Sequence, residues 1–438
     1  MRATMAMVAR PSAITRWLAA APPAVVALWG GGAAFATYFA MYAYRKPFAA
    51  ARFANIAGWP FAIDYKVVLV IAQVAGYALS KLIGIRVVSA MPAGRRAVTI
   101  LGLIGFAEAA LIVFAVAPPL AGVAALFANG LALGLIWGLV FAFLEGRRMS
   151  EIAGAMLCAT FIVASGAVKA VGAGMIDRGW TSEAWMPAAT GLLFVPLLLA
   201  AVAALAQLPP PNAADVAARA PRAPMTTAER RRLFRAHAGS LILLIAVYVV
   251  LTAVRDFRDN FAAEVWHELG FAGEAGIFAW SELPVAAIVL AALGLLARVR
   301  GNRAGVAWNL ALVGVGLGVM GLATAAFALA ALGPVAWMIA LGAGLYLAYT
   351  PFNALLFDRL LAASAERGNA GFFIYVADAA GYVGSVALLG VRSFAHVTLH
   401  FTAFLAAAAY AACGFGGIAT VIAGVRLLRT LPPERIDL

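Results

Sequence analysis

The chain has 438 residues, 65% of them hydrophobic and only 12% charged, with a formal net charge of +13. No water-soluble domain of this length is that apolar. The positive charge, which would suggest nucleic acid in a soluble protein, is here the Lys/Arg excess carried by the cytoplasmic loops of a membrane protein.

Apolar runs of about 20 residues recur along the chain, each able to cross ~30 Å of hydrocarbon as a helix. They predict twelve spans, at 22–45, 64–86, 98–117, 121–144, 152–175, 187–207, 239–257, 272–297, 304–328, 333–357, 369–391 and 401–425. The first, from Pro22, is long enough to span and eleven more follow, so it reads as a span and not as a cleaved signal. The predicted organisation is a tail (1–21), a six-helix bundle (22–207), a basic linker (208–238), a second six-helix bundle (239–425) and a tail (426–438). The linker holds Pro209-Pro-Pro-Asn212 and Glu229-Arg-Arg-Arg-Leu-Phe-Arg235 and reads as a segment that fixes topology.

With both termini inside, 22 of the 32 Lys and Arg fall in cytoplasmic segments. Eight fall at the outer side and outer helix ends: Arg45, Lys46, Arg52, Lys66, Arg178, Arg255, Arg258 and Arg392. Lys81 and Lys169 remain within spans. This asymmetry predicts cytoplasmic N and C termini. Gly130, Gly134 and Gly138 on the fourth span, with Gly342, Gly344, Gly381 and Gly384 later, read as close helix contacts. Cys158 and Cys413 lie in apolar stretches and the four histidines do not cluster, so neither a disulfide framework nor a metal site is implied.

Two arginines are the most informative residues. Arg45 follows Tyr38 by seven positions, and Arg255 follows Tyr248 by seven, 210 residues further on. A charge at membrane depth costs roughly 2.5–3.5 kcal/mol on insertion scales, so each needs a partner. A guanidinium fork at the same place in both halves predicts a clamp for an anion that comes and goes. Taken alone, Arg45 reads equally as an interfacial residue snorkelling to headgroups beside Lys46. Tyr38, Met41, Tyr42 and Arg45 share one helical face. Arg255 opens Arg255-Asp-Phe-Arg-Asp259, where Asp259 is spaced to pair with Arg255. Asp256 and Asp259 are therefore gating candidates that compete with substrate.

Further polar residues lie inside the spans. Lys81 and Lys169 add positive field. Asp378 minus 210 falls at position 168, so Lys169 and Asp378 are expected to form an ion pair across the site. Glu108 and Glu282 join Asp378 as candidate carriers of a coupling proton, a packing-side hydrogen bond being the blander reading of Glu108. Tyr346, Tyr349 and Asn353 on the tenth span are candidate ligand contacts with Tyr38, Tyr42 and Tyr248. There is no phosphate-binding loop, nucleophile elbow or metal-ligand spacing, so the chain reads as a non-enzyme with no cofactor.

Six plus six helices, a basic linker and a 210-residue internal offset are the layout of the major facilitator superfamily, an all-α membrane fold with its substrate site between two bundles. Three motifs resemble the organophosphate:phosphate antiporter family, which includes glycerol-3-phosphate and hexose-phosphate transporters. Tyr42-Ala-Tyr-Arg-Lys-Pro-Phe48 resembles that family's first-helix Tyr-x-x-Arg-Lys-x-Phe, and Gly76-Tyr-Ala-Leu-Ser-Lys-Leu-Ile-Gly84 its second-helix Tyr-Gly-x-Ser-Lys-Phe-x-x-Gly. Val254-Arg255 resembles the Val-Arg of its seventh helix. The resemblance implies that Arg45 and Arg255 grip an anionic group and that Lys81 assists. The sequence departs from the family at Val163, where a histidine is usual, and at Asp256, where an aromatic residue is usual. The implied function is rocker-switch secondary transport of a small organic anion, phosphorylated or otherwise acidic, with exchange against phosphate as one coupling mode. Two alternatives stay open: a proton-coupled carrier of a different polar solute, and a non-transporting sensor on the same fold. The expected partners are the solute and the lipid bilayer, with no nucleic acid, and the expected form is a monomer in a bacterial inner membrane.

Overall fold

The structure, a computed structural model, describes residues 12–432 except 55, 90, 145–149, 213–214, 216–226, 297, 365–369 and 395–399. Most of the first tail, the middle of the linker, the C-terminal end and the loop arginines Arg147, Arg148 and Arg367 lie outside the described residues.

In chain order the membrane helices are α1 (Pro23–Tyr42), α2 (Tyr65–Ser89), α3 (Arg96–Val116), α4 (Pro119–Leu133, resuming as Ile136–Leu144), α5 (Ser150–Asp177) and α6 (Met186–Leu193 with Val195–Ala206). The second set is α7 (Thr227–Asn260), α8 (Ile277–Trp280 with Glu282–Leu296), α9 (Asn302–Ala328), α10 (Pro334–Ala354), α11 (Ala370–Phe394) and α12 (Phe401–Thr430). Among the described residues ten helices are long and apolar enough to cross a membrane, and the two pieces of α6, bent by 46°, make an eleventh. The predicted eleventh span corresponds to α11, which has 25 residues. Helical structure also reaches into the predicted linker, since α7 starts at Thr227 and is interrupted only by non-helical angles at His237.

Proline sets several starts. Pro23, Pro119 and Pro334 open α1, α4 and α10, where a missing N–H costs nothing because the first turn has no acceptor for it. Pro196 bends α6, because its ring cannot donate to the carbonyl four residues back. Val98, Leu322 and Val383 are 73%, 73% and 70% exposed, which a lipid surround explains and water does not.

The two halves repeat one packing pattern. In the first, α1 packs on α5 and α6, α2 on α4, and α3 on α4 and α6. In the second, α7 packs on α11 and α12, α8 on α10, and α9 on α10 and α12. Between halves, α2 meets α11 and α5 meets α8. Glycine permits the closest of these approaches. A Cβ on Gly130 would lie 2.1 Å from the Gln73 carbonyl oxygen, locking α4 to α2. A Cβ on Gly166 would lie 2.1 Å from the Phe278 carbonyl oxygen, at the crossing of α5 and α8. Because backbone cannot swing aside, Gly166→Ala is expected to force the halves apart and to cost about 1–3 kcal/mol, read as a lower thermal midpoint of the detergent-solubilised protein.

Candidate functional site

The segment that carries Arg45 is held by its neighbours' side-chain amides. Helix α1 ends at Tyr42 and the chain turns into a short 3-10 helix, Pro47–Ala50. The break leaves carbonyls without helical donors, which hydrocarbon does not tolerate. Gln73 Nε2 donates to the Arg45 carbonyl at 3.0 Å and to Asn129 Oδ1 at 2.9 Å. Asn129 Nδ2 in turn donates to the carbonyls of Tyr44 (3.0 Å) and Ala107 (3.1 Å). Helices α2, α3 and α4 thereby fix where Arg45 projects.

The Arg45 side chain is buried, with the residue only 7% exposed. Its guanidinium carbon sits 3.8 Å from the centroid of the Tyr77 ring. Tyr77 touches Tyr382 of the opposite half edge-on at 5.4 Å, and its hydroxyl is 3.2 Å from that of Tyr38. Tyr38 packs on Tyr42 at 5.5 Å. Among the described residues Arg45 makes no ion pair, and its buried Nε has no hydrogen-bond partner. The snorkelling alternative does not apply: Arg45 and Lys46, 4% exposed, both face protein.

Arg255 is placed differently. Its Nε and one terminal nitrogen donate to Asp256 Oδ1 at 3.1 and 2.7 Å, and its guanidinium carbon lies 4.4 Å from the Tyr349 ring centroid. Ser385 holds the other Asp256 oxygen at 2.8 Å. The expected Arg255–Asp259 pair is therefore corrected. Asp259 faces the other half, where it accepts from Lys46 at 2.6 Å and Lys169 at 2.7 Å, with Ser165 at 2.5 Å. The expected Lys169–Asp378 pair is corrected as well. Because α2 is the helix that meets α11, Lys81 takes Asp378 at 2.9 Å, while Lys169 on α5 reaches Asp259. The 210-residue offset relates positions between halves and does not say which of them touch.

Asp378 also accepts from Tyr248 Oη at 2.5 Å. With its proton so committed, the Tyr248 oxygen takes hydrogen bonds from Tyr349 Oη (2.8 Å) and Asn353 Nδ2 (3.2 Å). Tyr346 donates to the Phe161 carbonyl at 3.4 Å across the seam between halves. Glu282 pairs with Arg258 at 2.8 Å within the second half. Glu108 lies apart from this group, buried between α3 and α6: a Cβ on Gly191 would fall 2.3 Å from its Oε2 and 2.9 Å from the Tyr44 ring. Neither Glu108 oxygen has a hydrogen-bond partner among the described residues, so the packing hydrogen bond expected of it is absent there.

Several residues of the site were hidden in the charge count. Lys46, Lys66 and Arg258 are buried at 4%, 3% and 4% exposure and are no loop charges. Lys66 pairs with Glu264 of the other half at 2.6 Å. Once these and the two clamp candidates are set aside, Arg52, Arg178 and Arg392 remain of the eight assigned to the outer side. Gln73 and Asn129 carried a usable signal, since each is a lone amide in an apolar run. Tyr382 and Ser385 carried none that separates them from packing residues. Among the described residues no group of acidic, histidine or cysteine side chains is arranged to hold a metal ion.

A family model described as a family of unknown function, DUF5690, matches residues 47–429. The chain belongs to this family. No curated protein matches it. Solved structures give the fold of this DUF5690 member. A peptide transporter, POT, in complex with alafosfalin aligns over 94% of this chain and all of its own, with 14% identity and a TM-score of 0.61. The nucleoside transporter NupG aligns over 93% of this chain and all of its own, with 12% identity and a TM-score of 0.57. A D-xylose–proton symporter aligns over 93% of this chain and 97% of its own, with 16% identity and a TM-score of 0.54. At these identities the likeness is one of architecture. The DUF5690 chain is an all-α, multi-pass membrane protein with the major facilitator fold.

Proposed function

We propose that this protein is a secondary transporter of a small organic anion, phosphorylated or otherwise acidic, that works by rocking its two halves about the central seam. The observation that carries this reading is Arg45. It is a permanent charge buried between the halves, held by a dedicated amide network, set on a tyrosine face and without a carboxylate among the described residues. A buried guanidinium of this kind is stable only with an anion for at least part of its working cycle. Lys81 and Arg255 are the further cations at the seam, both engaged by aspartates in the resting state. Tyr38, Tyr42, Tyr248, Tyr346, Tyr349 and Asn353 orient the rest of the solute, while Asp256, Asp259, Glu282 and Asp378 restrain the cations between cycles. Lys169 closes the first half onto Asp259 of the second.

The structural neighbours, a nucleoside transporter, a sugar–proton symporter and a peptide transporter, support transport as the activity and leave the anion to the site itself. The Lys/Arg asymmetry supports cytoplasmic termini in a bacterial inner membrane, which makes the end bearing Lys46, Lys66 and Asp259 periplasmic. The fold's known mode of action needs one copy of the chain, so a monomer is the working unit.

The test has two stages. A thermal-shift screen of purified protein against phosphorylated, phosphonate and carboxylate metabolites identifies the class. Proteoliposomes loaded with phosphate then distinguish the coupling. An exchanger shows counterflow without a pH gradient, and a proton-coupled carrier loses uphill uptake when the gradient is collapsed. Stabilisation by neutral solutes alone sinks the anion reading.

A further inference from the structure

The ion pair between Lys81 and Asp378 says something about the rest of the solute. It joins the two halves where α2 meets α11, with the lysine and aspartate side chains 11% and 14% exposed. Asp378 receives one ammonium at 2.9 Å and one tyrosine hydroxyl at 2.5 Å. Around it stand Tyr77 and Trp137, whose ring centroids lie 5.7 and 5.4 Å from the lysine nitrogen, and the Tyr248–Tyr349 stack with centroids 5.0 Å apart. Carboxylate plus electron-rich rings is a setting for a cation.

If Lys81 turns to help Arg45 bind an anion, Asp378 loses its counter-charge. A carboxylate stranded in a desolvated seam costs several kcal/mol, and neutral hydroxyls do not repay that. Lys81 leaves when a proton neutralises Asp378 or when another cation takes the lysine's position, and the aromatic surround favours the cation. We therefore propose that the transported solute is a zwitterion. Its acidic group sits on Arg45 and Lys81, and its ammonium group replaces that of Lys81 on Asp378, among the tyrosines. The exchange is ammonium for ammonium: no bond is made or broken and no proton is required. Asp378 becomes the residue that separates amino-bearing anions from plain ones, and the release of Lys81 makes the anion site complete only when both ends of the solute are present. This inference rests on the anion reading of Arg45 and adds the second charge.

The probes are inorganic phosphate, ethylphosphonate, 2-hydroxyethylphosphonate, 2-aminoethylphosphonate and 3-aminopropylphosphonate, with β-alanine against propionate as the carboxylate pair. Binding is measured by calorimetry on the full chain in detergent. An amino member is expected to bind at least ~30-fold more tightly than its amine-free partner, the scale of losing one partner of a buried charge pair. In Asp378→Asn that advantage is expected to shrink to within ~2-fold, with ethylphosphonate bound at least as tightly as by the wild type, because the variant no longer holds Lys81 away from the anion. The ranking on the wild-type protein stands without any variant, so a poorly folded Asp378→Asn does not blunt the test. Ethyl or hydroxyethyl members binding as well as the amino ones overturn the zwitterion and leave the anion site intact, as does an amino preference that survives Asp378→Asn. If no probe binds the wild type, inorganic phosphate included, the anion site falls and this inference with it.

Discussion

Arg45→Lys is expected to weaken binding of the stabilising anion by at least ~30-fold while the protein still folds, the scale of truncating one partner of a desolvated charge contact. Lysine keeps the charge but loses the planar fork, the stacking on Tyr77 and the donors needed to hold two oxygens at once. Arg255→Lys is expected to cost less. Its guanidinium already spends two donors on Asp256, so part of its geometry serves the resting state and not the ligand. The ordering of the two losses is the informative quantity. A symmetric clamp predicts equal losses; the geometry predicts that the unpaired arginine dominates. Calorimetric titration of both variants with the anion that most stabilises the wild-type protein decides it, and wild-type affinity in Arg45→Lys sinks the proposed function.

How much of this was legible in the sequence depends on the kind of interaction. The spans follow from apolar run length, a property local to each segment, and the structure moves their ends by only a few residues: 22–45 becomes Pro23–Tyr42 and 121–144 extends to Pro119–Leu144. The equivalence of Arg45 and Arg255 was visible as an internal offset. Their inequality was not, because it depends on which carboxylate is nearby, and Asp256 and Asp259 lie three positions apart yet serve different halves. Asp259 sits four residues from Arg255, the spacing of a local pair, but two lysines across the seam claim it. Ion pairing between bundles is set by which helices cross, and no local periodicity encodes that. The same limit explains Lys46 and Lys66, while Arg258 is claimed by Glu282 on another helix of its own half. A cation at the end of an apolar run reads as a loop charge until the opposite half is known to supply Asp259 and Glu264.

The cluster at Asp259 is expected to give the largest stability effect in the molecule. One carboxylate there serves Lys46, Lys169 and Ser165, all from the first half, while Asn260 beside it accepts from Lys46 at 2.8 Å. Asp259→Asn leaves two buried ammonium groups facing an amide, and removal of one partner of a buried pair costs about 3–5 kcal/mol. The loss falls on the contact between halves and not on either bundle alone. The expected result is a lower thermal midpoint together with greater access of thiol reagents to a cysteine placed at Ala49, beside the Lys66–Ala49 hydrogen bond on the same closed end. The double variant Lys46→Met with Asp259→Leu is expected to be less damaged than Asp259→Asn, because it removes one stranded charge along with its counter-ion and leaves only Lys169 uncompensated. If all three proteins melt together and label alike, the pairs are ornaments of a seam closed by packing, and the glycine contact at Gly166 carries the closure.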